Sequence, residues 1–184
     1  MELRLAKQKL RKEIAARKRE HSAEQLLELS KKIMCRLEQT EEFQAASCVA
    51  LYHAIPGEVQ TADFIERWYK RKRLLLPLIV GDDLRLLLYE GPDSLIEGQY
   101  GIMEPKEDCK ELPDEDIDMI IVPGVAFDKE RNRMGRGRGF YDRLLSKVNA
   151  QKIGICFEFQ LSEDIPVEPF DKKMDIVITE DHIY

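Results

Sequence analysis

Six short runs dense in apolar residues punctuate this chain: Ser47–Tyr52, Arg73–Val80, Leu84–Tyr89, Ile117–Val122, Lys152–Phe157 and Asp175–Thr179. Runs of this length next to turn-forming residues read as buried strands. Elsewhere the apolar positions fall at helical spacing. Residues 2–20 carry Leu3, Leu10 and Ile14 without Gly or Pro. Ser22-x-x-Gln25 resembles a capping box and opens a helix striped by Leu26, Leu29, Ile33 and Leu37. Thr61 is placed to cap a helix holding Phe64, Ile65 and Trp68, aromatic residues that read as core packing. Residues 140–149 predict a further helix.

Pro77 interrupts its strand and places it at a sheet edge or at a strand's end. Gly81-Asp-Asp83 turns it into a hairpin with Leu84–Tyr89. Residues 90–116, rich in Gly, Pro and acids, predict a long surface loop, with Tyr100-Gly-Ile-Met-Glu-Pro105 as a compact segment inside it. Strands alternating with helices predict an open, mostly parallel α/β sheet. A ligand site is then expected at the C-terminal ends of the strands.

Composition narrows the class. With 184 residues, 43% hydrophobic and 35% charged, the chain reads as one globular domain over residues 1–184. No apolar run approaches the ~20 residues of a membrane span. The charged N-terminus has no apolar segment of the secretory kind. Cys35, Cys48, Cys109 and Cys156 are scattered, and the three histidines lie far apart, so no zinc site is indicated. A cytoplasmic location is expected.

The net charge of −6 is unevenly spread. Residues 1–20 hold eight basic and three acidic residues, and residues 129–143 hold six and two, which leaves −15 on the rest. Two basic islands on an acidic body suit a small anionic ligand better than a nucleic-acid backbone.

The second island carries the chemistry. Gly135, Gly137 and Gly139 alternate with Arg136 and Arg138, Arg133 stands just before, and Tyr141-Asp142-Arg143 opens the next helix. Glycines allow the main chain to approach a ligand closely. Free N–H groups of such a turn, together with a helix N-terminus, attract anions. Guanidinium groups fit phosphate oxygens as bidentate forks. Strand, glycine loop and helix in that order predict a polyphosphate cradle, although neither G-x-x-x-x-G-K-[ST] nor G-x-G-x-x-G is present. Two blander readings are a solvated loop and an Arg-Gly segment that touches RNA. In the first island, Lys7 and Arg11 lie one helical turn apart on one face. Alone they would read as a solvated basic face, and Glu58 alone as a solvated loop acid.

The stretch Val122-Pro-Gly-Val-Ala-Phe-Asp128, followed by Arg133-Met-Gly-Arg-Gly-Arg-Gly-Phe-Tyr-Asp142, resembles the 5-formyltetrahydrofolate cyclo-ligase family. The likeness extends to Lys7-x-x-Leu10-Arg11, the Glu58 turn and Asp171-x-x-Met-Asp175. The resemblance implies a three-layer α/β/α fold of the type shared with sugar-phosphate isomerases and CoA transferases. It also implies MgATP-dependent conversion of 5-formyltetrahydrofolate to 5,10-methenyltetrahydrofolate through a phosphorylated formyl intermediate. Carried over residue by residue, ATP would be bound by Lys7, Gln8, Lys9, Leu10 and Arg11, and by Arg133, Met134, Gly135, Arg136, Gly137, Arg138, Gly139, Phe140 and Tyr141. Folate would contact His53, Glu58 and Arg136 to Phe140. Magnesium would sit near Asp142 and Asp171, and Arg136, Arg138 and Tyr141 are the catalytic candidates. Phe140 stands where Tyr is common in the family, and Phe170 where many members have His. A monomer acting on small molecules, with no nucleic-acid or membrane partner, is expected. The rival readings are a sugar-phosphate isomerase on the same scaffold and an RNA-binding module.

Overall fold

The computed structural model describes residues 2–98 and 101–184. Its first helix, α1 (Glu2–Lys18), is followed by α2 (Ala23–Glu38), which opens with the capping box read from the sequence. The Gln25 N–H donates to Ser22 Oγ at 3.2 Å, and the Ser22 N–H donates to Gln25 Oε1 at 2.7 Å. Next come α3 (Glu41–Ala45), β1 (Cys48–Ala50), α4 (Ala62–Trp68), β2 (Arg73–Val80) and β3 (Asp83–Leu88). Two short strands, β4 (Leu95–Glu97) and β5 (Met103–Pro105), precede β6 (Met119–Val122). The hairpin strands β7 (Ala126–Phe127) and β8 (Arg133–Met134) lead to α5 (Phe140–Lys147), β9 (Gln151–Ile155) and β10 (Ile176–Ile178).

All six predicted strands form, and they share one sheet in the order β10-β9-β6-β1-β2-β3. Every pairing in it is parallel except β2 with β3. The apolar runs are continuous because both faces of the sheet are covered. Val49, Leu51, Leu74, Leu76, Met119 and Ile121 pack on one face with Ile33 and Leu37 of α2, Phe43 of α3 and Phe64 of α4. Their neighbours Cys48, Ala50, Leu75, Ile120 and Val122 pack on the other face with Leu144 and Leu145 of α5. The period of two therefore sorts each strand between two cores, which gives the three layers α/β/α.

Three sequence expectations are corrected. Pro77 does not mark an outer strand, since β2 lies between β1 and β3. Arg73 donates to Ser47 O and Leu75 O accepts from Leu51, so odd positions of β2 face β1. The β1 ladder ends at Leu75, and Pro77, of the same parity, meets open space where no donor is required. Thr61 stands at the start of α4 without a side-chain cap bond. Its buried hydroxyl instead donates to Tyr52 O at 2.7 Å and accepts from the Ala54 N–H at 3.1 Å, which pins the loop after β1. Residues 90–116 are not only loop: β4 and β5 pair as an antiparallel ribbon, and Glu104 and Leu112 are buried. Tyr100, at the head of the expected compact segment, lies outside the described residues.

From β1 the chain proceeds to β2 on one side, and from β6 to β9 on the other. The loops leaving β1 and β6 therefore diverge at their C-terminal ends and open a crevice between neighbouring strands. Helix α1 is held over this end by a small separate cluster in which Leu10 and Ile14 meet Ala126, Met134 and Ile165. Burying two such side chains contributes about 1.5–3 kcal/mol each. That is what fixes a helix otherwise marginal on its own.

Candidate active site

The loop leaving β6 is shaped before any charge enters it. Asp128, fully buried, accepts from the Asn132 N–H and side-chain amide at 2.8 Å each and from the Ile165 N–H at 3.2 Å, which closes the β7–β8 turn. Gln160 Nε2 donates to the carbonyls of Gly124 and Val125 at 3.0 Å. After β8 the chain takes left-handed conformations at Gly137 (φ 98°) and Gly139 (φ 71°), which side chains with a Cβ rarely adopt. Gly139 is the residue before α5 and supplies no side-chain cap, so no side chain of that residue covers the helix's first N–H groups.

Four cations converge here in different ways. Arg133, its side chain 3% exposed, donates from Nη2 to Asp142 Oδ1 at 2.6 Å and from Nη1 to Pro123 O at 3.2 Å. Its guanidinium lies over the Tyr141 ring at 5.7 Å, and its Nε has no hydrogen-bond partner among the described residues. Arg11, from α1, donates to Gly135 O from Nε at 3.1 Å and from Nη2 at 3.0 Å. Arg136 is 57% exposed and donates to Glu58 Oε1 at 2.8 Å. Lys7 reaches Glu168 Oε2 and Asp171 Oδ2, both at 2.7 Å. Burial opposes the charge on Lys7, but the bonds to Asp171 and Glu168 outweigh it and raise its pKa.

Of these groups Arg133, Arg136 and Glu58 line a cavity of about 370 Å³ at the crevice between β1 and β6, whereas Lys7, Arg11, Asp142 and Asp171 are not among its lining residues. Gly135 to Tyr141 line it with Arg133, and His53 and Glu58 come from the loop after β1. Pro77, Ile79, Leu84 and Ile102 add apolar surface to the lining, with the acid Glu104 among them. Burial lowers the pKa of His53, so its imidazole is neutral at pH 7. Burial, with Glu58 nearby, raises that of Tyr141, so its hydroxyl stays protonated and able to donate.

The expected nucleotide segment of α1 divides by face. Arg11 turns toward the Gly135 carbonyl and Lys7 toward Glu168 and Asp171, Leu10 is buried in the cluster against the hairpin, and Gln8 and Lys9 are exposed. Met134 is likewise core, 2% exposed. The Gly/Arg stretch is thus anchored at Arg133 and Met134, while Arg136, Gly137 and Arg138 are exposed. Asp171 is not a solvated loop acid, since it accepts from Lys7 and from the Glu168 N–H at 2.8 Å. Asp175 accepts from the Lys152 N–H at 2.7 Å, a bond at the start of β9. Phe170 is 60% exposed, whereas Phe140 lines the cavity.

Among the described residues no group of three or more His, Cys, Asp or Glu side chains converges as a metal cage. Asp142 and Asp171 are each paired with a cation. Such a donor set does not fit a resident ion, but it fits a magnesium ion that arrives on phosphate oxygens and takes only one or two carboxylates.

Sequence reasoning did not single out Lys18, Glu168, Tyr52 or Glu104. Lys18 lies beside Gly57, and burial, then Arg136, lowers its pKa. The available signal for Glu104 was one acid among Ile102, Met103 and Pro105.

The model of the 5-formyltetrahydrofolate cyclo-ligase family matches residues 4–180. The 5-formyltetrahydrofolate cyclo-ligase of Escherichia coli (strain K12) is 32% identical over 179 residues, covering 93% of this chain and 98% of that one. The mouse (Mus musculus) protein of the same name is 30% identical over 191 residues, covering 96% and 94%. Among solved structures, the NMR structure of Aquifex aeolicus 5,10-methenyltetrahydrofolate synthetase superposes with a TM-score of 0.88 at 38% identity, covering 96% of this chain and 91% of that one. No helix among the described residues is long and apolar enough to cross a membrane.

Proposed function

Because the chain belongs to the 5-formyltetrahydrofolate cyclo-ligase family, we propose that its cavity joins ATP and 5-formyltetrahydrofolate and yields 5,10-methenyltetrahydrofolate, ADP and phosphate. The observation that carries this reading is the lining of the cavity: the glycine and arginine loop together with apolar side chains, at the divergence of the loops after β1 and β6. A formyl oxygen is a poor leaving group as hydroxide. In the proposed course it attacks the γ-phosphorus and ADP departs. N10 then adds to the formyl carbon and loses its proton, and phosphate carries the oxygen away. Phosphoryl transfer is mostly positioning and charge stabilisation.

The roles follow from what each group can do. The Gly135 to Gly139 backbone and the start of α5 receive phosphate oxygens, and Arg136 and Arg138 neutralise developing charge. Arg11 holds the Gly135 carbonyl and so fixes the loop's path. Neutral His53 and the Glu58 carboxylate serve the folate, and Tyr141 acts as a hydrogen-bond donor. Mg²⁺ would enter with ATP, held by Asp142 and Asp171, and would supply charge neutralisation on the phosphates. Asp171 would then exchange Lys7 for the ion, releasing that ammonium toward the nucleotide. The enzyme is expected to act as a monomer.

The test is the absorbance of the methenyl product in a mixture of protein, 5-formyltetrahydrofolate and ATP. Growth only with both ATP and Mg²⁺ is expected; its absence with folded protein would end this reading. Lys7→Ala should raise the KM for ATP roughly tenfold, the scale of one charge-assisted hydrogen bond, with the KM for folate within about twofold. An unchanged KM for ATP removes Lys7 from the nucleotide site.

A further inference from the structure

Glu104 is an anomaly among the apolar side chains of the cavity. The residue is 4% exposed, and its Oε1 has no hydrogen-bond partner among the described residues. It projects from β5, and the residues bordering the cavity beside it are Pro77, Ile79, Leu84 and Ile102. An unpaired buried carboxylate is costly to keep. Burial pushes its carboxyl pKa up, with some relief from the Ile79 backbone, so what the charged form lacks is donors. The backbone beside it makes room for that side chain: a Cβ at Gly98 would overlap the Glu104 carboxylate, and the Gly98 N–H is engaged with Ile102 O at 2.8 Å. Two features, the glycine and the unpaired oxygen, thus hold a carboxylate ready beside the apolar side chains of the lining.

We infer that Glu104 is the specificity-determining contact for the pterin ring of the folate, accepting from the adjacent 2-amino and N3–H donors. This rests on the proposed function, within which it fixes the orientation of the substrate. A flat neutral heterocycle with two neighbouring N–H donors matches one carboxylate in an apolar slot. A phosphate or the glutamate end of folate carries like charge and is repelled by Glu104, whereas Arg133, Arg136 and Arg138 belong to the same lining. The pterin is therefore placed along Ile79 and Ile102 beside Glu104, and the glutamate tail away from that carboxylate.

The test measures equilibrium binding of 5-formyltetrahydrofolate without ATP, alongside turnover and thermal unfolding, for wild type, Glu104→Leu and Glu104→Gln. Loss of a paired charged acceptor predicts a Kd for folate about 10–100-fold higher in Glu104→Leu. Glu104→Gln, which keeps one acceptor and turns a donor on the ring's donors, should fall between. The KM for ATP should stay within about twofold. A folate analogue lacking the 2-amino group should bind wild type weakly and Glu104→Leu no worse than the parent folate does. Glu104→Leu should also melt a few degrees higher, since it removes an unpaired buried acid. Folate affinity equal to wild type in both variants overturns the inference. So does joint loss of folate and ATP affinity with a lower melting temperature, the mark of a merely structural residue. Wild type that binds folate in a Glu104-dependent way but forms no methenyl product would sink the cyclo-ligase reaction and leave this contact standing. Wild type that binds no folate overturns both.

Discussion

Arg136→Ala is expected to lower kcat/KM for methenyl formation by about 10²–10³, with the melting temperature within about a degree of wild type. The size is that of removing one preorganised donor from developing transition-state charge. The separation from stability follows from the environment: the side chain is 57% exposed, and its recorded ion pair is to Glu58. A surface pair of this kind contributes about 0–1 kcal/mol. Arg136→Lys should recover only part of the rate, because an ammonium keeps the charge but not the planar fork. Initial rates at saturating folate and varied ATP give the measurement. A loss below about fivefold would take Arg136 out of the reacting centre.

The second large effect falls on stability. Arg133→Met should destabilise the fold by about 3–5 kcal/mol, the scale for breaking one side of a buried pair. For a chain of 184 residues, at about 2–4 °C per kcal/mol, the melting temperature should drop by roughly 6–20 °C. The cause is the loss of one guanidinium that serves Asp142, the Pro123 carbonyl and the Tyr141 ring together. A second change, Asp142→Asn, should restore part of the loss in the Arg133→Met background while weakening the wild-type background. Such non-additivity is what contact between the two predicts. Urea unfolding of the four proteins checks it, and a purely additive cycle would mean that solvent already screens the pair.

The strands were legible because burial on both faces leaves continuous apolar runs, as in Met119 to Val122, and that signal is local. The ribbon of Leu95–Glu97 with Met103–Pro105 was not, since three-residue strands with exposed positions have no periodicity to read. Nor was the hairpin at Arg133–Met134, which lies inside a charge run. It is core only because Leu10 and Ile14, more than a hundred residues earlier, cover it. The same division runs through the site. The glycine and arginine loop announced itself by composition, and the family resemblance supplied Lys7, Arg11, Glu58 and Asp171. Glu104 and Lys18 stayed hidden, because what sets them apart is their surroundings: an apolar slot for one, Arg136 and Gly57 for the other.

The bonds of α1 also set an order of events during synthesis. Lys7 is 161 and 164 residues from its two acids, and Arg11 is 124 residues from Gly135. At a synthesis rate of about 5–20 residues per second, the first helix waits on the order of 8–30 s after leaving the ribosome before its partners exist. Its exposed Leu3 and Leu5, and its temporarily uncovered Leu10 and Ile14, are then available to holding chaperones. Strands β1, β2, β3, β6 and β9 and every residue that lines the cavity are made before Asp171. A nascent chain stalled there would thus hold all of the cavity's walls but lack β10 and one of the two acids that tie Lys7, and with it part of the tether of α1.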